Sequence, residues 1–220
     1  MRQITIGEWR SYDDWGLLLH PNWRLEGARP KTQFIDIPAS DGSIDISEVL
    51  AGEPRFNDRN FTCTLILPPY EKVRKEWEDK RREITNYCNG KRLKITTPDD
   101  DMRYLIGRIS VAELQRRKGH ALLNISAVCE PWLYHNNLTS INISTDRSIN
   151  RVLQNARRRV IPTITTDEFI GISINGVHRS VSAGVWTIPD FVLNEGDNLL
   201  QIGVVGGHPN VNISYQQADL

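Results

Sequence analysis

The stretch from Phe34 to Leu67 constrains the fold of this chain more than any other. Phe34, Ile35 and Ile37 open it, and Pro38, which has no N–H, ends ladder donation there. Ala39-Ser40-Asp41-Gly42 supplies turn chemistry, with Gly42 free to take positive φ. Ile44, Ile46, Val49 and Leu50 make a second apolar run, and Ala51-Gly52-Glu53-Pro54 a second turn. Phe61, Cys63, Leu65 and Leu67 then alternate with Asn60, Thr62, Thr64 and Ile66, the period-two pattern of a strand with one buried face. The stretch predicts a strand pair with a long arm, Asp36–Arg59, between its halves.

The flanking segments read in the same terms. Residues 2–7 alternate as a short strand. Trp9, Tyr12, Trp15 and Trp23 follow, so the first 25 residues hold three of the six tryptophans, a density that points to packing ahead of an exposed aromatic patch. Pro68-Pro69 ends the strand and starts a helix over Tyr70–Asn89, since a proline costs nothing at a helix start. Val73, Trp77, Ile84 and Cys88 form one apolar stripe, and Gly90 stands where a left-handed cap belongs. Glu71–Lys75, Glu76–Lys80 and Glu78–Arg82 are i,i+4 pairs in the favourable order.

Arg92–Thr96 and Arg103–Val111 predict a hairpin around Thr97–Asp101. A turn at Gln115–Gly119 leads into a strand at His120–Cys129. His135–Ser140 is polar and turn-prone, which divides the chain into domains at residues 1–135 and 136–220. The second half reads as short strands at Ser140–Ser144, Val160–Thr165, Phe169–Ile174, Val177–Ser182, Val185–Ile188, Phe191–Leu193, Leu199–Val205 and Val211–Tyr215. Asn175-Gly176 is its strongest hairpin signal. Such spacing predicts a compact β-sandwich.

Composition excludes more than it assigns. Lysine plus arginine equals aspartate plus glutamate at 27 each, so net charge argues for neither nucleic acid nor a membrane. No apolar run approaches the ~20 residues a membrane helix needs. The opening Met-Arg-Gln-Ile-Thr-Ile-Gly lacks the apolar centre of a signal peptide. The three cysteines, Cys63, Cys88 and Cys129, lie far apart in apolar contexts, as buried thiols of a reduced cytosolic protein do. The Asn-Xaa-Ser/Thr sequons at Asn60, Asn124, Asn137, Asn142 and Asn212 then carry no glycosylation meaning.

No catalytic or metal constellation forms, and no cofactor is expected. Asp99-Asp100-Asp101 reads as a solvated hairpin tip. Asp41–Asp45 begins like a calcium loop, but the sixth position is Ile46 and the twelfth Gly52. His20, His120, His135, His178 and His208 are dispersed without metal or triad spacing. Gly203–Gly207 has the wrong glycine order for phosphate. Arg116-Arg117-Lys118 and Arg157-Arg158-Arg159 lack interleaved stacking aromatics, so no specific nucleic-acid recognition is expected. Trp186 is the one residue a sugar-binding alternative would use, although a lone strand tryptophan is more often core.

One linear pattern is more telling. Ile37-Pro38, Asp41-Gly42, Ile44-Asp45, Ser47, Leu50, Gly52, Pro54, Phe56 and Arg59, followed by Pro-Pro, a charged helix and two hairpins, resembles the N-terminal domain of the distal tail (Dit) proteins of siphophages and prophages. Glu130-Pro131-Trp132 is similar to the close of that domain. The second half resembles, more loosely, their jelly-roll or galectin-like C-terminal domain.

The fold class expected is therefore mainly β with one α-helix. An N-terminal β-sandwich-like domain with a packed helix and a protruding arm precedes a small C-terminal β-sandwich. The resemblance implies a structural protein, not an enzyme. Such proteins form a ring, typically of six subunits, that joins the tail tube protein to the tail tip with its tail-associated lysin or receptor-binding protein. DNA passes through the ring. The implied location is the virion tail after synthesis in the bacterial cytoplasm, with no membrane insertion. Ile44, Ile46, Val49, Leu50 and Phe56 are the expected subunit-interface residues. The alternative is a carbohydrate-binding sandwich that reads a cell-surface glycan through Trp186.

Overall fold

A computed structural model describes residues 2–69 and 73–220. The chain divides into two compact units, the first running through Trp132 and taking in Leu220, the second spanning Leu133–Asp219.

Unit one holds β1 (Thr5–Ile6), β2 (Trp9–Arg10), β3 (Leu18–Leu19), β4 (Arg24–Leu25), β5 (Phe34–Asp36), β6 (Ser43–Asp45), β7 (Arg59–Leu67), α1 (Val73–Cys88), β8 (Arg92–Thr97), β9 (Asp100–Arg117) and β10 (His120–Cys129). One curled sheet runs β2-β1-β8-β9-β10-β7-β3, with β4 also on β7. Its spine is the β7–β10 pairing, unbroken from Ala121↔Leu67 to Cys129↔Arg59. That register puts Phe61, Cys63, Leu65 and Leu67 beside Ala121, Leu123, Ile125 and Ala127, all buried. Each large side chain buried there contributes roughly 1.5–3 kcal/mol.

The apolar stripe of α1 lies inward at Trp77, Ile84 and Cys88. Trp77 Nε1 donates to the Pro68 carbonyl at 2.9 Å. Tyr87 Oη accepts the Glu8 amide at 3.0 Å and donates to the Ile6 carbonyl at 3.3 Å, tying the helix to the first strands. Gly90 ends the helix at φ 78°. The predicted start at Tyr70–Lys72, the Glu71–Lys75 pair and the Val73 side chain lie outside the described residues and side chains.

Among the described residues the ion pairs within α1 are i,i+3 where i,i+4 was expected. Lys80 meets Glu83 at 2.8 Å, Arg81 meets Glu78 at 3.2 Å and Arg82 meets Asp79 at 3.2 Å. The other Glu78 oxygen takes Arg116 of β9 at 2.6 Å. Arg81 first, then Arg116, hold the Glu78 carboxyl below its usual range through their hydrogen bonds.

Burial pushes the Cys63 thiol up to about 12 and those of Cys88 and Cys129 up to about 11, so all three stay protonated.

The β9–β10 hairpin is longer than expected. Gln115, Arg116 and Arg117 continue β9 in register with Leu122, Ala121 and His120, and only Lys118-Gly119 turns. A bulge opposite Leu123–Ile125 inserts one residue and breaks the alternation, so the segment beyond it looks like a turn in sequence.

Unit two holds β11 (Leu133–His135), β12 (Thr139–Ser144), β13 (Ile149–Asn155), β14 (Thr163–Thr166), β15 (Ile170–Ile174), β16 (Val177–Val181), β17 (Gly184–Thr187), β18 (Gly196–Val204), β19 (Asn210–Tyr215) and β20 (Ala218–Asp219). Two four-stranded sheets, β12-β19-β14-β17 and β13-β18-β15-β16, enclose a core that includes Leu153, Ile164, Ile172, Phe191, Leu200 and Ile213. Asn175 at φ 51° and Gly176 at φ 85° make the two-residue turn of the β15–β16 hairpin.

β13 was not anticipated, because Asn150, Arg151 and Gln154 interrupt its apolar residues. Phe191–Leu193 is a single bridge, Val160↔Leu193, and no strand; Phe191 and Leu193 serve the core from a loop.

Candidate functional site

The arm leaves unit one earlier than the sequence suggests. Its foot is a clamp in which Lys31 N donates to the Arg55 carbonyl at 2.7 Å and Asn57 N to the Arg29 carbonyl at 2.9 Å. The bridge Pro30↔Phe56 lies between them, and the Phe56 ring meets Trp132 edge-on at 5.8 Å. Beyond the foot, β5 and β6 pair only with each other, through Phe34↔Asp45, Ile35↔Ile44 and Asp36↔Ser43. Phe34–Asp36 is thus part of the arm, not the first member of a sheet pair with β7. Pro38 and the turn after it bend the run back on itself before it can reach a larger sheet.

Hydrogen bonds of its own stiffen the arm. Asp45 Oδ1 accepts the Ser47 amide at 2.9 Å and also the Ser47 hydroxyl. Ser47 Oγ in turn accepts Gln33 N at 2.8 Å, and Ile46 N donates to the Gln33 carbonyl at 2.9 Å. These donors hold the Asp45 carboxyl below its usual range. Ser43 Oγ donates to Asp36 Oδ1 at 2.6 Å.

What the arm presents is apolar and uncovered. Leu50 is 100% exposed, Val49 72%, Phe34 58% and Ile44 51%, with Ile35 and Ile37 also exposed. Ile35 and Ile44 share one face of the ribbon and Phe34 projects from the other, so neither face is covered. Soluble monomers rarely leave so many clustered apolar side chains uncovered.

Of the five residues expected at an interface, Ile44, Val49 and Leu50 are exposed, whereas Ile46 and Phe56 are half-buried. Phe56 works at the foot, against Trp132. Phe34, Ile35 and Ile37 join the exposed set. They were visible in sequence as an apolar run but were read as the start of a sheet strand.

Arg59, at the base of β7, is buried, and its Nε and one terminal nitrogen meet no hydrogen-bond partner among the described residues. Burial lowers its pKa.

The other residues weighed in sequence are dispersed. Trp186, 37% exposed, pairs with buried Ile164 on the inward row of edge strand β17, and its Nε1–H donates to the Ser182 carbonyl at 2.8 Å. Asp100 engages Arg103 at 3.0 Å and Asp99 lies 3.6 Å from Arg2. Among the described residues no group of His, Cys, Asp and Glu is placed to hold a metal. Arg158 stacks over Tyr134 at 5.2 Å, and Arg116 is held by Glu78. No described helix is long and apolar enough to cross a membrane.

Fold and arm together define a β-rich, two-unit protein with an exposed apolar hairpin. No protein-family model matches the chain, and no curated protein matches it. Among solved structures it is similar to SPP1 Dit (gp 19.1), presented as a paradigm of the hub adsorption apparatus in phages that infect Gram-positive bacteria. The likeness has a TM-score of 0.67 at 13% identity and covers 98% of this chain and 99% of that one. The chain therefore has a Dit-like distal tail protein fold, as its linear pattern suggested.

Proposed function

We propose that this protein is a structural component of a phage or prophage tail tip: a distal tail hub that assembles as a hexameric ring. The ring joins the tail tube protein to the tail-tip and host-adhesion apparatus and leaves a central passage for DNA. No catalytic step is assigned to it. Its place is the virion tail.

The observation that carries this reading is the uncovered apolar arm on a chain whose fold matches a Dit protein over nearly its whole length. A free two-stranded ribbon is marginal in water, and this one leaves large apolar side chains in solvent on both faces. Seating it on a neighbouring copy removes that surface from water. Repeated head-to-tail, the contact closes a ring, and the free edges of β5 and β6 are available to extend a neighbour's sheet.

The test is assembly. Purified protein at high concentration, examined by negative-stain microscopy and mass photometry, should give six-fold rings with a central opening. Ile44→Asp with Leu50→Asp alters two exposed side chains of the arm, neither of which belongs to the core of its own chain. The double variant should therefore keep the wild-type melting temperature and circular dichroism while remaining monomeric. Rings that persist in it would sink the reading.

A further inference from the structure

The outer faces of the two sheets in unit two differ in a way that points to a ligand. On β12 and β19 the outward polar side chains satisfy one another: Asn212 Nδ2 donates to Ser140 Oγ at 2.7 Å and to Asn142 Oδ1 at 2.6 Å. On the opposite sheet the corresponding row is open. Asn150, Gln201, Ser173 and His178 stand side by side across β13, β18, β15 and β16, fixed by the registers Asn150↔Gln201, Ser173↔Gln201 and Ser173↔His178. Ser173 is 2% exposed, yet its Oγ has no hydrogen-bond partner among the described residues. A buried hydroxyl left unmatched is destabilising, and a ligand group beside it would relieve that.

The next row explains the cleft. Gly171 and Gly203 are paired there, with Ser180 of β16 beside Gly171, and Ser148, just before β13, also lines the cleft. Neither glycine is required by its backbone: a Cβ added to either would meet only the other's carbonyl oxygen, at 3.8 Å. Their bare backbone forms the floor of a cleft of about 680 Å³ whose lining includes Ser173, Gln201 and His178. On the far side of the polar row, Val152 and Leu199 pair in register as an exposed aliphatic shelf.

We infer that this cleft, on the outer face of β13-β18-β15-β16, is a binding site for a neutral saccharide. Its side chains offer hydroxyl and amide groups, donors and acceptors alike. Among the described residues that line it, the one guanidinium, Arg179, is already held by Asp190. A phosphate or carboxylate finds no free guanidinium or ammonium among the described residues there, whereas a sugar brings hydroxyls for the polar row and C–H faces for the aliphatic shelf. A ligand hydroxyl seated in this row beside Ser173 would supply the hydrogen-bond partner that its Oγ lacks among the described residues. The site lies on a different sheet from Trp186 and does not depend on the tail-hub reading.

The test is NMR titration of the full chain with neutral mono- and oligosaccharides of glucose, galactose, rhamnose and N-acetylhexosamines. Acidic sugars and glycerol phosphate serve as comparison, all to tens of millimolar. Neutral sugars should shift the amides of Gly171, Ser173, Gln201 and Gly203. Stronger binding by the oligomers marks a polymer as the source, and equal binding a free sugar.

Ser173→Ala should leave the melting temperature unchanged or raise it, yet weaken binding about tenfold, the worth of one hydrogen bond. Gly171→Val, which fills the floor, should abolish binding. The proposal is overturned by an absence of shifts with every neutral sugar, by shifts centred on Trp186, by preference for the acidic probes, or by a Ser173→Ala variant that binds like wild type.

Discussion

Gly107 on β9 faces Cys129 on β10 so closely that a methyl added to it would stand 2.5 Å from Cys129 Sγ and 3.2 Å from both Ala127 Cβ and the Val128 carbonyl oxygen. All of these belong to the core pairing, where nothing yields cheaply. Gly107→Ala should therefore destabilise unit one by roughly 1–3 kcal/mol in urea unfolding. Adding Cys129→Ala removes the nearest obstacle, so the double variant should lose at least ~0.5 kcal/mol less than the sum of the two single losses. Strict additivity would show that the sulfur is not the obstruction. The same substitution at Gly171 or Gly203 meets only ordinary van der Waals contact at 3.8 Å and should leave stability nearly unchanged. One residue type thus serves two ends, close packing in unit one and open floor in unit two, and only the opposing strand distinguishes them.

At the scale of the element, the arm depends on one carboxylate. Asp45 is fully exposed, and its pKa lies below 3.8 because both Ser47 donors favour the ionised form. A carboxyl with a depressed folded pKa gives its stabilisation in full above the unfolded value, and that stabilisation is lost as pH falls through the folded value. Backbone order parameters across residues 33–47 should then be steady at neutral pH and fall well below pH 3.8. Asp45→Ala should reproduce the loosened arm at neutral pH, and a rigid arm in that variant would remove Asp45 from the account.

The elements legible in sequence were those set by neighbours along the chain: the alternation of β7, the stripe and glycine cap of α1, the Asn175-Gly176 turn. Those that escaped are set by partners far away. β13 is a strand because β18 pairs with it, β9 runs on because β10 follows it past a bulge, and Phe34 belongs to the arm because Pro30 meets Phe56. The candidate surfaces divide in the same way. Ile44, Val49 and Leu50 stand out in one short run, whereas Gly171, Ser173 and Gln201 meet only across paired strands.

For the whole molecule, the balance of charge decides what kind of force can drive assembly. With 27 basic and 27 acidic residues the chain carries no net charge, so copies neither repel nor attract strongly at long range. The surface offered by the arm is Phe34, Ile35, Ile37, Ile44, Val49 and Leu50, and in the proposed ring its burial would be driven by removing apolar area from water. In about 1 M sodium chloride the Debye length falls to ~3 Å and exposed ion pairs are screened, but apolar burial is untouched. Ammonium sulfate, excluded from protein surfaces, strengthens it. Rings of the wild-type protein should accordingly survive ~1 M sodium chloride in mass photometry and form at lower protein concentration in ammonium sulfate. The Ile44→Asp, Leu50→Asp variant should stay monomeric in both. Dissociation in sodium chloride would instead assign the interface to charged side chains and leave the arm a different partner.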